Sequence, residues 1–293
     1  MQKRKNTKGW GLLAPTLIIL FFIGILPFIY ALYLSFHQWN IFSRTGKPIW
    51  IGADNFRKMV FDKDFLASLG KNLLFAAIVV PSETLLGLLF ALSLMKPYKF
   101  RNVFRLIHTL PLAMPPIAIG AMWKLMTNPG LGILSRYLEK LGITYNIGQD
   151  ANQAFWTVVI MDIWHWTPFV TLAFLAGLTS LPRSPFEQAQ IDGANKWQIF
   201  WHITLPLLKP VTLTVIFIRL MDALRIVDEV WMLTGGGPGT ATRFTGIHVW
   251  RMVFARTDYG YGSAISVFLL YLTIVLSWLF MQVVTKKEEG GVR

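Results

Sequence analysis

Six stretches of this chain are long and apolar enough to cross the hydrocarbon of a bilayer, a distance that takes about 20 mostly apolar helical residues. They run approximately over 12–36, 73–95, 106–127, 154–178, 207–232 and 262–284. Six buried helices of that length are too many for the core of a soluble chain of 293 residues. The predicted fold is therefore an all-α membrane protein with six transmembrane helices. Several spans hold proline (Pro27, Pro81, Pro111, Pro115, Pro116, Pro168), which membrane helices tolerate where neighbours satisfy the freed backbone groups. Charged residues are only 15% of the chain, well below the ~25% usual in soluble domains. A hydrophobic content of 54% excludes disorder. There is no cysteine, which removes disulfide frameworks, thiolate metal sites and cysteine nucleophiles.

Basic residues orient such a chain. Lys3, Arg4, Lys5 and Lys8 precede the first span with no acid among them. Lys96, Lys99, Arg101 and Arg105 fill the short segment after the second span, again without an acid, and Lys286 and Lys287 follow the sixth. With one crossing per span, all three groups fall on one face. Arg44, Lys47, Arg57 and Lys58 fall on the other, but they are dispersed among Asp54, Asp62 and Asp64. Both tails, 1–11 and 285–293, are thus expected in the cytoplasm. The first apolar run is too long for a signal-peptide core and no small-residue cleavage site follows, so it reads as a retained span. The net charge of +13 sits mainly in loops and tails while the aromatics sit in spans, a distribution that argues against nucleic-acid binding.

The segment 181–206, between the fourth and fifth spans, falls on the cytoplasmic face and reads as two short helices joined by a turn. Ser184 is the expected N-cap, with Pro185 in the first turn and Glu187 at the third helical position. Gly193 is placed to end that helix in a left-handed conformation. Trp197, Phe200 and Trp201 follow at i, i+3 and i+4, one apolar face of a short helix. The result is a compact knob suited to docking in a groove.

Glu187-Gln188-Ala189, three residues, Gly193, nine residues, Ile203, one residue and Leu205-Pro206 together resemble the EAA signature of binding-protein-dependent ABC importer permeases, E-A-A-x3-G-x9-I-x-L-P. One position departs, Gln188 for the second alanine. Ala14-Pro15, Ser35-Phe36, Leu110-Pro111, Pro115, Trp123, Asn128-Pro129, the run Leu233 to Pro238 and Asp258-Tyr259-Gly260-Tyr261-Gly262 resemble the carbohydrate-uptake branch. The glycine run favours the half that holds sugar in mid-membrane in the maltose-type importer. The resemblance implies a non-catalytic permease subunit in the cytoplasmic membrane of a bacterium or archaeon. It also implies a second homologous permease, a dimer of ATP-binding subunits and an extracytoplasmic solute-binding protein. Glu187, Ala189, Asp192, Gly193, Ile203, Leu205 and Pro206 would then lie at the ATPase interface.

The fifth span is unusual in carrying Arg219, Asp222, Arg225, Asp228 and Glu229. Each charge at a helix centre costs about 2.5–3.5 kcal/mol on the insertion scale, so these groups must pair or face water. At roughly 100° per residue, Arg219, Asp222, Arg225 and Glu229 share one face of a continuous helix, with Asp228 just outside it. Such a stripe either lines a solute path or forms an internal ion-pair set. The fourth span adds Asp162, Trp164, His165, Trp166 and Pro168. In the maltose-type permeases this segment reads Asn-x-Trp-Leu-Gly-x-Pro, and its Asn, Leu and Gly touch the sugar. Those contacts map onto Asp162, His165 and Trp166, all different in type, which implies a different solute. The expected solute-binding set is Asp162, His165, Trp166, Arg219, Asp222, Arg225 and Glu229. Glu83 is a further intramembrane acid with no partner evident in the sequence.

Arginine is the usual partner of phosphate and sulfonate oxygens, so an anionic sugar derivative or glycerol phosphate stands beside a neutral sugar. No metal-ligand spacing is present. The glycine-rich stretch Gly235 to Thr240 lacks the Gly-Lys-Ser/Thr ending of a phosphate loop and is expected as an outer loop. ATP and Mg²⁺ are accordingly expected on a partner ATPase, with no cofactor in this chain. An ion-coupled secondary transporter using the span-five charges, or a membrane-embedded enzyme, is the reading from another class.

Overall fold

A computed structural model describes residues 7–42 and 46–289. Lys3, Arg4, Lys5 and Arg44 lie outside the described residues, as do the side chains of Lys8, Lys286 and Lys287. The described chain is mostly helical. In order, the elements are α1 (Thr7–Leu20), α2 (Leu26–Ser35), strands β1 (His37–Gln38) and β2 (Ile49–Trp50), α3 (Asp54–Phe61), α4 (Lys63–Met95), α5 (Arg101–Thr109) and α6 (Pro116–Met126). Then come α7 (Ile133–Lys140), α8 (Ala151–Thr179), α9 (Ser184–Ile191), α10 (Lys196–Ile199), α11 (Leu205–Leu207), α12 (Lys209–Leu224), α13 (Asp228–Thr234), α14 (Thr245–Trp250) and α15 (Tyr259–Glu289). The antiparallel pair β1–β2, two residues per strand, is a small departure from an all-α chain.

Four helical segments are long and apolar enough to cross a membrane: Leu13–Ser35, Lys63–Met95, Ala151–Thr179 and Tyr259–Leu279. They contain the cores of the first, second, fourth and sixth expected spans. The third and fifth depart from single straight crossings. Arg101–Ala113 and Pro116–Met126 meet at 104°. The cause is local: Pro115 and Pro116 follow one another, and a residue before proline is driven out of the helical region. Met114 (φ −93, ψ 133) and Pro115 (φ −66, ψ 143) are both extended. Lys196–Leu207 and Lys209–Leu224 are bent by 62°, and α12 stops at Leu224, before the expected end near 232.

The chain divides into two units. One comprises the chain to Leu66 with His248–Ile274; the other comprises Ala67–Ile247 with the chain from Val275. In the first, Asn55 donates to the carbonyls of Ser35 and His37, both at 2.9 Å. The Tyr261 hydroxyl donates to Asp62 at 2.6 Å, and Lys58 stands 4.3 Å above the Tyr261 ring. These contacts fasten the ends of α2, α3 and α15 to one another.

The second unit holds two apolar cores. One gathers Phe75, Val79 and Val80 of α4, Ala154, Val158 and Met161 of α8, and Ala223 and Leu224 of α12. The other gathers Ala91 and Leu94 of α4, Val170, Phe174 and Leu178 of α8, with Leu208 and Val215 at the start of α12. On each of the three helices a polar waist separates the cores: Glu83 on α4, Asp162 and His165 on α8, Arg219 on α12. Close approach there depends on Gly87, where a Cβ would stand 2.5 Å from Val170.

Candidate functional site

Arg219 is the hub of the waist. Its Nε donates to Glu83 at 2.6 Å, and one terminal nitrogen donates to Glu83 at 3.1 Å and to Asp162 at 3.0 Å. Its other terminal nitrogen lies 3.5 Å from Asp222. The Arg219, Glu83 and Asp162 side chains are 1%, 0% and 2% exposed, so the ion set is sealed from solvent. The guanidinium also lies 4.5 Å from the centre of the Trp166 ring, a cation–π contact that strengthens when desolvated. A forked guanidinium suits this role because it presents several donors in a fixed plane.

The expected solute set is therefore split. Asp162 and Arg219 face each other, with Glu83 as the partner absent from the expected set. Asp222 is half-exposed, at 45%, and Arg225 is exposed and makes no side-chain hydrogen bond or ion pair among the described residues. His165 is buried, its ring 4.7 Å from that of Trp166, and its Nδ1 has no hydrogen-bond partner among the described residues. A buried polar atom left unpaired is uncommon in folded proteins.

Glu229 corrects the single-face expectation. It belongs to α13, and Arg225 and Val227 between the helices are non-helical (φ −113 and −141). At the break the Ala223 carbonyl accepts from the Asn72 side-chain amide at 2.9 Å. The 100° rule therefore holds for Arg219 and Asp222 on α12, and no further along the chain. Glu229 is nonetheless buried. The glycine stretch begins by capping α13, with Gly235 left-handed at φ 61.

The segment 181–206 forms the expected two helices. Gly193 sits at φ +78. Its amide donates to the Gln190 carbonyl at 3.2 Å and that of Ala194 to Ala189 at 2.9 Å, the pair of bonds that closes a helix through a left-handed residue. Asp192 is the exposed C-cap. The cap assignment at the other end needs correcting: Ser184 is the first helical residue, Arg183 occupies the cap with no side-chain bond, and Glu187 is the fourth residue rather than the third. The reciprocal cap belongs to the second helix, where Asn195 accepts from the Gln198 amide at 2.9 Å and Gln198 accepts from the Asn195 amide at 2.8 Å.

Glu187 and Pro206 are exposed, while Ala189, Ile203 and Leu205 are half-buried. Trp197, Phe200 and Trp201 form one ring cluster with centroids 5.4–6.1 Å apart. Ile191 and Trp197 are 85% and 69% exposed. Leu181 and Leu208, which bracket the knob, pack in the core that holds Leu94 at the end of α4. The knob and the basic segment after α4 thus share one end of this unit.

A family model described as "Binding-protein-dependent transport system inner membrane component" matches residues 83–288. The chain belongs to that family. Its members are transport components, and this chain is a permease subunit of an ABC transporter. The chain is 36% identical over 284 residues to the trehalose/maltose transport system permease protein MalF of Thermococcus litoralis, covering 97% of this chain and 95% of that one. It is 33% identical to the sulfoquinovosyl glycerol permease SmoG of Agrobacterium fabrum, covering 94% and 90%. It is 30% identical to the sn-glycerol-3-phosphate permease UgpA of Pectobacterium atrosepticum, covering 97% and 96%. A solved bacterial ABC transporter involved in import of the acidic polysaccharide alginate shares the fold, with a TM-score of 0.82 at 20% identity over 97% of this chain and 96% of that one.

Proposed function

We propose that this permease subunit forms one of two membrane halves of an ATP-driven importer and passes a neutral sugar through a chamber beside Trp166. Its partners would be a second permease, a dimer of ATP-binding subunits that hold ATP and Mg²⁺, and an extracytoplasmic solute-binding protein. The second member of each bent pair would carry the crossing, with α5 and the knob helix at the cytoplasmic face, giving six spans with both termini in the cytoplasm.

The observation that carries the neutral-sugar reading is the charge accounting at Arg219. Three acids, Glu83, Asp162 and Asp222, surround this one cation. It has no charge to spare for a phosphate or sulfonate. The sealed groups Glu83, Asp162 and Arg219 then act by positioning, tying α4, α8 and α12 into one body and holding the Trp166 ring. Trp166 offers an aromatic face to a pyranose, and Asp222 at the open edge offers acceptors to its hydroxyls. His165, its ring 4.7 Å from that of Trp166, carries a ring nitrogen with no hydrogen-bond partner among the described residues. Arg225 supports a second reading, an anionic sugar derivative, because its charge has no partner among the described residues.

ATP-driven closure of the ATPase pair would push on the knob through Glu187, Ala189, Asp192 and Gly193. Ile203, Leu205 and Pro206 would pass that motion to α12. The waist would then rock as a unit to expose the chamber outward. The test is uptake by the assembled importer in vesicles. The reading expects ATP-dependent uptake that survives an ionophore and is competed by neutral sugars. Uptake by this chain alone that collapses with an ionophore would overturn it in favour of ion coupling.

A further inference from the structure

The break in the third apolar stretch leaves α5 with a geometry that a straight crossing would not have. Because α5 and its following turn run at 104° to α6, α5 lies close to the membrane plane when α6 follows the bundle normal. Its side chains divide into three sectors at roughly 100° per residue. Phe104 and His108 face protein: Phe104 packs 6.2 Å from Phe90, and His108 lies 3.0 Å from the Thr171 hydroxyl. Val103, Leu106, Ile107 and Leu110 form a stripe that is 51–63% exposed. Arg101 and Arg105 lie opposite that stripe.

The charge here is one-sided. Lys96, Lys99, Arg101 and Arg105 fall in a stretch that has no acid between Glu83 and Glu139. At the start of α5, Phe100 is left-handed (φ 70) and no side chain caps the helix. A depression of about 380 Å³ opens there, bounded by Pro97, Tyr98, Phe100, Arg101, Asn102 and Val103. An apolar stripe beneath a basic edge is the pattern of a helix lying in a lipid interface, and basic groups beside such a helix attract anionic lipid headgroups.

We infer that α5 is an interfacial helix and that Arg101 and Arg105, with Lys96 and Lys99, hold the phosphate of an anionic phospholipid in the cytoplasmic leaflet. The uncapped first turn of α5 adds its own positive end to the site. The sidedness rests on the membrane orientation proposed above. The lipid contact itself does not depend on the solute or on ATP.

The absence of cysteine makes single spin labels clean reporters. With the assembled importer in phosphatidylcholine vesicles containing phosphatidylglycerol, labels on Val103→Cys and Leu106→Cys are expected to meet oxygen more readily than a water-soluble nickel chelate. A label on Asn102→Cys is expected to show the reverse. Spin-labelled phosphatidylglycerol should be retained in preference to phosphatidylcholine. That preference should fall about 30-fold in R101Q/R105Q, at ~1 kcal/mol for each of the two basic groups. It should persist in R101K/R105K and in R136Q, which alters a basic residue of α7. Equal water access at all three labels, or an unchanged lipid preference in R101Q/R105Q, overturns the proposal. Neither readout measures uptake, so failure of the sugar reading would leave these results intact.

Discussion

The waist and the knob are opposite departures from the usual partition of residues. At the waist, Glu83, Asp162 and Arg219 are charged and sealed. At the knob, Ile191 and Trp197 are apolar and bare. Buried charge survives only when paired, and here every member finds its partner within the chain. Exposed apolar surface has no such internal remedy, and a contiguous patch of it marks a site of interaction. The ion set of the waist is therefore complete by itself, whereas on the proposed reading the knob is half of a contact.

That contrast breaks most easily at Arg219. Arg219→Met strands two buried carboxylates, and removing one partner of a buried ion set costs about 3–5 kcal/mol. Thermal melting of the purified chain should show the loss, while E83Q/D162N/R219M, which removes the charges together, should recover much of it. At the knob the stability of the chain should barely move. In I191S/W197S we expect an unchanged melting temperature but about a 30-fold weaker hold on the ATPase subunits, as for removal of a hot spot worth about 2 kcal/mol.

Gly193→Val tests backbone conformation rather than surface. A Cβ there would meet nothing within 4 Å, so only the left-handed φ is penalised, by about 1–2 kcal/mol. The turn should distort, and ATP hydrolysis should continue with uptake lost. Asp222→Asn weakens a half-exposed pair at 3.5 Å, worth under about 1 kcal/mol; its effect should appear in the KM for solute and leave melting nearly unchanged.

The smallest effect is expected in the first unit, at Asp62. Burial raises its pKa, but the Tyr261 hydroxyl and the Phe65 and Asp64 amides outweigh burial and hold it below the usual carboxylate range. A carboxyl lowered by folding stabilises above its unfolded pKa, and the gain fades as pH falls through the folded one. Melting of Asp62→Asn should thus be lower than that of the parent at neutral pH, and the gap should close in acid.

Helix length and apolarity made α4, α8 and α15 legible, because a long apolar run has few other uses. The turn at Gly193 was legible for a similar reason: a glycine at the end of a short helix supplies a conformation other residues avoid. The bend at Met114 had its signal in the tandem Pro115-Pro116, a sign obscured by the general tolerance of membrane helices for proline. The break after Leu224 has no glycine or proline to mark it, and the Asn72 side chain that bonds the Ala223 carbonyl there lies some 150 residues earlier in the chain. The same distance hid the partner of Glu83, 136 residues from Arg219. Ser184 and Asn195 are equally good caps by residue type, and each has an acid or amide three residues on, Glu187 and Gln198, so the capping pattern did not separate them.

Crosslinking from the knob tests the central claim most directly. Ile191→Cys, carrying a photoactivatable group in the assembled importer, should form an adduct with an ATP-hydrolysing subunit, in a yield that changes when ATP is added. Adducts with lipid alone, or none at all while ATP-dependent uptake continues, would contradict the assignment of that exposed apolar surface to the ATPase.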